Sequence, residues 1–131
     1  MKNLTINVGD YARSYDGYIA KCERFYSYDD FIHFDRDIID TYCEPTNYFD
    51  KKDIKKYIKA VSPNIIDLIE VGDILSFKDG SICRVCGIED DYYLLVDCSG
   101  ISYWEKNVWI DDFESIVTKE QMEAMEYKIE R

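Results

Sequence analysis

One phrase occurs twice in this chain, 63 residues apart. Val8-Gly9-Asp10 is followed after five residues by Asp16-Gly17-Tyr18-Ile19, and Val71-Gly72-Asp73 after five residues by Asp79-Gly80-Ser81-Ile82. An internal repeat constrains architecture before any local reading does, because it means that one small supersecondary unit has been used twice. The unit reads as a β-hairpin. Gly-Asp enters a strand, Asp-Gly turns it, and an isoleucine-bearing strand returns. Glycine suits the turn because it tolerates positive φ.

The rest of the chain is placed around these hairpins. Phe31–Phe34 and Ile38–Tyr42 read as strands in the first half. Tyr92–Val96 is strongly β, Ser99-Gly100 turns it into Ile101–Trp104, and Phe113–Val117 is a further strand. Thr118-Lys119-Glu120-Gln121 is a capping-box pattern that opens a short helix through Met125, and Tyr127–Ile129 is expected to close the sheet. Between the copies, Asp50 caps a predicted helix. Lys51, Lys52, Lys55, Lys56 and Lys59 line one side of it and Ile54, Tyr57, Ile58 and Val61 the other, with Ser62-Pro63 as the stop. Residues 64–69 read as a helical turn or an extended linker.

The expected fold is β-rich α+β, with two tandem SH3-like small β-barrel units joined by a short basic helix and a short C-terminal helix. Residues 1–49 form the first SH3-like unit, 50–70 a helical connector, and 71–131 the second unit with its helix. A single mixed α+β fold is the alternative.

Charge is spread unevenly over the 131 residues. The formal net charge is -11, with -4 in residues 1–49, +3 in 50–60 and -10 in 61–131. Such a surface repels nucleic acid and anionic membranes and attracts basic partners, besides keeping the protein soluble. No segment has the apolar core of a signal peptide or the length of a membrane span, so a cytoplasmic protein is expected. Five cysteines without a dense framework are then expected as reduced thiols.

Few residues offer chemistry. Cys83-Arg84-Val85-Cys86 looks like half of a zinc knuckle. The missing ligands would have to come from Cys98, Cys43, Cys22 or His33, none at a recognisable spacing, and the first copy has Ala20 and Glu23 at the matching positions. Buried apolar cysteines are the preferred reading, and no metal or cofactor is expected. His33, the single histidine, lies in an alternating run. A thiol–base pair with Cys22 or Cys43 is the weaker alternative to a plain strand-face residue. With no nucleophile elbow, phosphate loop or paired metal motif, no enzyme is expected. Glu89, Asp90, Asp91, Asp111, Asp112 and Glu114 form acidic clusters that could carry carboxylates much as DNA carries phosphates. Trp104, Trp109 and the twelve tyrosines could supply interface anchors. The lysines 51, 52, 55, 56 and 59 are the alternative site.

Three stretches carry a resemblance. They are Val8–Arg13 with Asp16–Lys21, Ser62–Asp73, and Glu114–Gln121 with Glu126–Lys128. Together they resemble small, uncharacterised phage and prophage proteins of low-GC Gram-positive bacteria, over roughly a third of the chain. The resemblance implies a phage gene expressed in a bacterial cytoplasm and a small non-enzymatic protein that modulates host machinery, including an inhibitor of CRISPR or another defence complex. On this reading its acidic surface occludes a basic, nucleic-acid-binding surface of a host protein. The alternative is an SH3-like nucleic-acid or nucleotide-binding module that uses the lysine helix.

Overall fold

The two copies of the Val-Gly-Asp phrase fold into the same backbone, bond for bond. The computed structural model describes residues 4–25, 30–41, 44–97, 99–106 and 113–125. In the first copy, Asp10 N donates to Asn7 O (3.0 Å), Gly9 N to Cys22 O (2.9 Å), and Cys22 N to Asp10 O (2.8 Å). In the second, Asp73 N donates to Glu70 O (3.1 Å), Gly72 N to Val85 O (2.7 Å), and Val85 N to Asp73 O (2.9 Å). Both glycines have positive φ, 95° and 101°, which an L side chain adopts only with strain. The aspartate closes each turn with its side chain. Asp10 Oδ2 accepts Asn7 N at 2.9 Å, and Asp73 Oδ2 accepts Glu70 N at 2.7 Å.

The strands that follow begin at matching positions, and the returning strand runs one residue longer in the second unit than in the first. In the first unit β1 is Tyr11–Ser14 and β2 Ile19–Phe25; their counterparts in the second are β8 (Ile74–Phe77) and β9 (Ile82–Glu89). Tyr11 faces Lys21 as Ile74 faces Arg84, and Ala12 faces Ala20 as Leu75 faces Cys83. Each hairpin turns through a three-residue loop with the glycine last. Gly17 N donates to Ser14 O and Ser14 N to Tyr18 O, as Gly80 N does to Phe77 O and Phe77 N to Ser81 O. This is the type I turn with a left-handed closing residue that joins right-twisted strands.

The first compact unit spans Met1–Leu68. It continues with β3 (Phe31–Phe34), a small hairpin of β4 (Ile39–Thr41) and β5 (Glu44–Thr46), and β6 (Tyr48–Asp50). A 3-10 turn (Lys51–Asp53), α1 (Ile54–Tyr57), β7 (Ile58–Ser62) and a second 3-10 turn (Ile65–Leu68) complete it. The sheet order is β6-β3-β2-β1-β7, with β4-β5 apart. The second unit, Ile69–Arg131, adds β10 (Tyr92–Asp97), β11 (Ser102–Lys106), β12 (Phe113–Val117) and α2 (Lys119–Met125), in the order β11-β10-β9-β8-β12. The two orders are one topology, a four-strand meander whose fifth strand returns beside the first. Even the irregularity in the fifth strand recurs. Arg13 faces Ala60 and Ser14 faces Ile58, bulging Lys59, just as Ser76 faces Ser115 and Phe77 faces Phe113, bulging Glu114.

The expected β-rich α+β class is therefore observed, as two antiparallel five-stranded sheets. Among the described residues neither sheet closes into a barrel. The predicted lysine helix is cut short. It ends at Tyr57, and Ile58–Ser62 is a strand of the first sheet, so the expected connector over 50–70 belongs to the first unit through Leu68. Asp50 does cap, but caps the 3-10 turn, through Lys52 N to Oδ1 at 3.0 Å. The 127–129 strand and Tyr42 lie outside the described residues.

The first core gathers Ile6, Ala12, Ala20, Cys22, Ile32, Phe34, Ile38, Ile39, Phe49 and Ile58. Phe34 stacks on Phe49 at 5.6 Å, and Tyr57 meets Phe49 edge-on at 5.4 Å. Arg13, next to Ala12 and so on the opposite face of β1, is also fully buried, its guanidinium donating to Leu68 O at 2.8 Å. In the second unit Leu75, Cys83, Val85, Tyr93 and Leu95 turn inward. Buried Asp73 gives its second oxygen to Lys119 N (2.9 Å), tying the start of α2 to β8.

Two stability measurements follow. Asp73→Ala loses two hydrogen bonds to a buried carboxylate and is expected to cost about 2–4 kcal/mol in urea unfolding, whereas Asp10→Ala, with one bond and partial exposure, costs about half as much. Equal losses would show that burial of Asp73 adds nothing. Ile58→Ala is expected to cost about 2–4 kcal/mol as a core truncation, and Lys55→Ala less than about 0.5 kcal/mol as an exposed change.

Candidate functional site

Each sheet has a core face and an outer face, because successive side chains on a strand point to opposite sides. On β10, Tyr93 and Leu95 point to the core and Tyr92, Leu94 and Val96 point outward. Leu94 faces Trp104 across the β10–β11 pair, and Tyr92 faces Lys106. The indole of Trp104 reaches from the edge strand over Leu94 to Gly87 on β9. A Cβ at Gly87 would lie 3.6 Å from Trp104 Cη2 and 3.4 Å from Leu94 Cβ. The indole therefore lies against the β9 backbone at Gly87. Trp104 nevertheless stays 49% exposed and Tyr92 45%.

Beside these rings the β9–β10 turn presents carboxylates. Asp90 has φ 52°, a left-handed conformation that aspartate tolerates better than most residues. Glu89 and Asp90 are exposed, and with Tyr92 and Trp104 they line an open hollow of about 360 Å³. Asp91 is half-buried, its Oδ2 4.0 Å from Lys106 Nζ.

Register reveals the same outer face in the first unit, beyond the reach of the sequence repeat. Cys22 faces Phe34 and Arg24 faces His33, with Glu23 bulged; Val85 faces Leu95 and Gly87 faces Leu94, with Cys86 bulged. His33 then faces Tyr48, as Leu94 faces Trp104. Phe31 therefore corresponds to Tyr92, and Tyr48 to Trp104. The first pair is also half-exposed, 38% and 45%, with Phe31 edge-on to Tyr48 at 5.7 Å and His33 stacked on Tyr48 at 5.6 Å. An exposed aromatic pair at one register position in both units is a built feature of the fold. Lone exposed apolar residues would need no explanation.

Of the acidic residues singled out from the sequence, Glu89, Asp90 and Asp91 share this turn. Glu114 lies on β12, at the opposite edge of the sheet from β11, and Asp111, Asp112 and Trp109 lie outside the described residues. Lys51, Lys52, Lys55 and Lys56 are exposed on the 3-10 turn and α1, while Lys59 is half-buried at the β7 bulge. Lys52 Nζ is 3.8 Å from Asp50 Oδ2, and Lys56 Nζ lies 5.1 Å over the Tyr57 ring. Tyr92, Tyr48 and Phe31 were not individually legible. Tyr92–Val96 is apolar at every position, so its sequence gives no sign of which side is wet.

Among the described residues the cysteines and His33 do not converge. Cys22 faces the core and His33 the outer face, on neighbouring strands. Burial, then Asp10, pushes the Cys22 thiol up to about 11. Cys83 is buried with its Sγ 3.2 Å from Tyr103 Oη, a bond that with burial pushes the phenol well above its ordinary range. Cys86 is exposed on the β9 bulge. Cys43 and Cys98 lie outside the described residues.

Comparisons with protein-family models, with curated proteins and with solved structures give no match for this chain. Among the described residues no helix is long and apolar enough to cross a membrane.

Thiol chemistry checks this arrangement. At pH 8 a thiol of pKa about 11 is only about 0.1% thiolate, which protects Cys22, and burial shields Cys83, so iodoacetamide followed by peptide mass spectrometry is expected to label exposed Cys86 quickly and to spare the other two until the chain unfolds. Melting is expected to be unchanged by excess chelator. Joint protection of Cys83 and Cys86, lost together with stability on chelation, would restore the zinc-knuckle reading.

Proposed function

We propose that the chain is a non-enzymatic interaction module of two SH3-like units, whose second unit docks a basic protein surface on its outer face. The SH3-like assignment is supported by the strand order, a meander whose fifth strand pairs with the first, in both units. The observation that carries the docking reading is the hollow where half-exposed Trp104 and Tyr92 meet the carboxylates of Glu89 and Asp90. Large aromatics in well-shaped recesses are the side chains that dominate interface energies. The surrounding charge selects the partner's sign, since residues 69–131 carry 15 carboxylates against six lysines and arginines. On the resemblance to phage proteins, such a module would act in an infected bacterium. A host complex that handles nucleic acid, a defence complex included, is a partner whose basic surface it would occlude.

Affinity capture from bacterial lysate, with mass spectrometry and then binding kinetics on the recovered protein, tests this. Trp104→Ala is expected to weaken binding roughly 30-fold, the scale of an interface anchor. Changing Glu89, Asp90 and Asp91 to their amides is expected to slow association more than it speeds dissociation, and salt to weaken the complex. Binding that ignores these changes and salt but is abolished when Lys51, Lys52, Lys55 and Lys56 become glutamine would move the site to the lysines and overturn the proposal.

A further inference from the structure

We infer that the hollow beside Trp104 takes one arginine side chain of the partner, an assignment that rests on the docking reading above. Two different surfaces meet there. One is the exposed rings of Tyr92 and Trp104, and the other is the pair of carboxylates on Glu89 and Asp90. An occupant must satisfy both at once. A neutral aromatic or aliphatic side chain would cover the rings and strip water from the carboxylates without replacing it, which is costly. An anion is repelled by the carboxylates. A cation is attracted by both, by the ring faces through their quadrupole and by the carboxylates through charge.

Among cations the layout favours guanidinium. A trimethylated ammonium has no N–H to donate and is held best when rings surround it. Here the other half of the lining is carboxylate. A lysine ammonium is a compact, strongly hydrated point charge that gains little from a flat ring. The guanidinium is planar and weakly hydrated. One face can lie on an aromatic ring while its N–H edge donates to carboxylates in pairs. The size agrees, since about 360 Å³ is at the low end for ligand sites and holds one long side chain with a few waters. The hollow is also seated on a firm base. The indole rests on Leu94 and Gly87, and the turn is held by the Glu89–Tyr92 register.

The probes are three octapeptides that differ only in three positions spaced by glycine and serine, carrying arginine, lysine or citrulline. Each is titrated into the nitrogen-15-labelled full chain, with the Trp104 indole signal assigned by its loss in Trp104→Phe. The arginine peptide is expected to shift the Trp104 indole and the amides of residues 89–92. It should bind at least about fivefold more tightly than the lysine peptide, and the citrulline peptide, isosteric but uncharged, should give no response. Glu89→Gln with Asp90→Asn is expected to weaken the arginine peptide about tenfold, while the remaining signals show that the variant is folded. Equal binding of lysine and arginine peptides, shifts that map away from Trp104, or no response to any peptide would overturn the inference. If a captured partner still depends on Trp104 in any of those cases, the docking proposal stands without its arginine. If capture is indifferent to Trp104, the docking proposal fails on its own test.

Discussion

A carboxylate closing a four-residue turn sets the register of each unit. Asp10 holds the Asn7 amide and Asp73 the Glu70 amide, and the glycine before each aspartate turns its own N–H onto the second strand. That bond fixes which residue of β2 or β9 lies opposite β1 or β8. In a sheet a slip of one residue would send every side chain to the other face, so this single pin decides which side chains become core and which become surface. The second unit uses its aspartate twice. Asp73 also takes the Lys119 amide, and Lys119 Nζ lies 2.9 Å from Glu70 Oε1, so turn, first strand and last helix are joined at one buried group.

Carboxylates do similar work at the tips of the second sheet. Asp79 accepts the Ser81 amide and hydroxyl, and Asp97 accepts those of Ser99 as well as the Ile101 amide. The serine hydroxyl bond in each case holds the carboxyl below its usual range. Such a depressed group contributes stability above its unfolded pKa and loses it as pH falls through the folded value. Part of the chain's acidity is thus structural, and a large negative charge by itself marks no site. The turn between β9 and β10 differs because its carboxylates stand beside uncovered rings.

The hairpins were legible in the sequence because glycine and aspartate are there for reasons local to the turn, positive φ and a side-chain bond to a nearby amide. The fifth strand of the first unit was not. Lysines 51, 52, 55, 56 and 59 with Ile54 and Ile58 fit a helical period, yet β1 has a second edge to pair, and Ile58–Ser62 takes it once Tyr57 has covered Phe49. The bulge at Lys59 breaks the alternation that would have announced a strand. The acidic turn of the candidate site was visible as a charge cluster. Its aromatic half was hidden, since Tyr48 and Trp104 are 56 residues apart instead of 63 and only the pairing aligns them.

The two outer faces share their aromatic pair and differ in the side chains beside it. Where the second unit has Gly87 and Leu94, the first has Arg24 and His33. Trp104 can settle over a bare backbone and leave a recess beside the turn. Tyr48 instead lies parallel to an imidazole, at 21° between planes, with a full arginine side chain at the position of the missing one. The repeated topology presents the scaffold and the exposed rings twice. In the second unit the indole covers Gly87, a mid-strand position where glycine ordinarily weakens a sheet, and the hollow lies beside it at the β9–β10 turn. The cost of that glycine is offset by the indole that covers it, so the second unit keeps its sheet while presenting a concave acidic–aromatic surface.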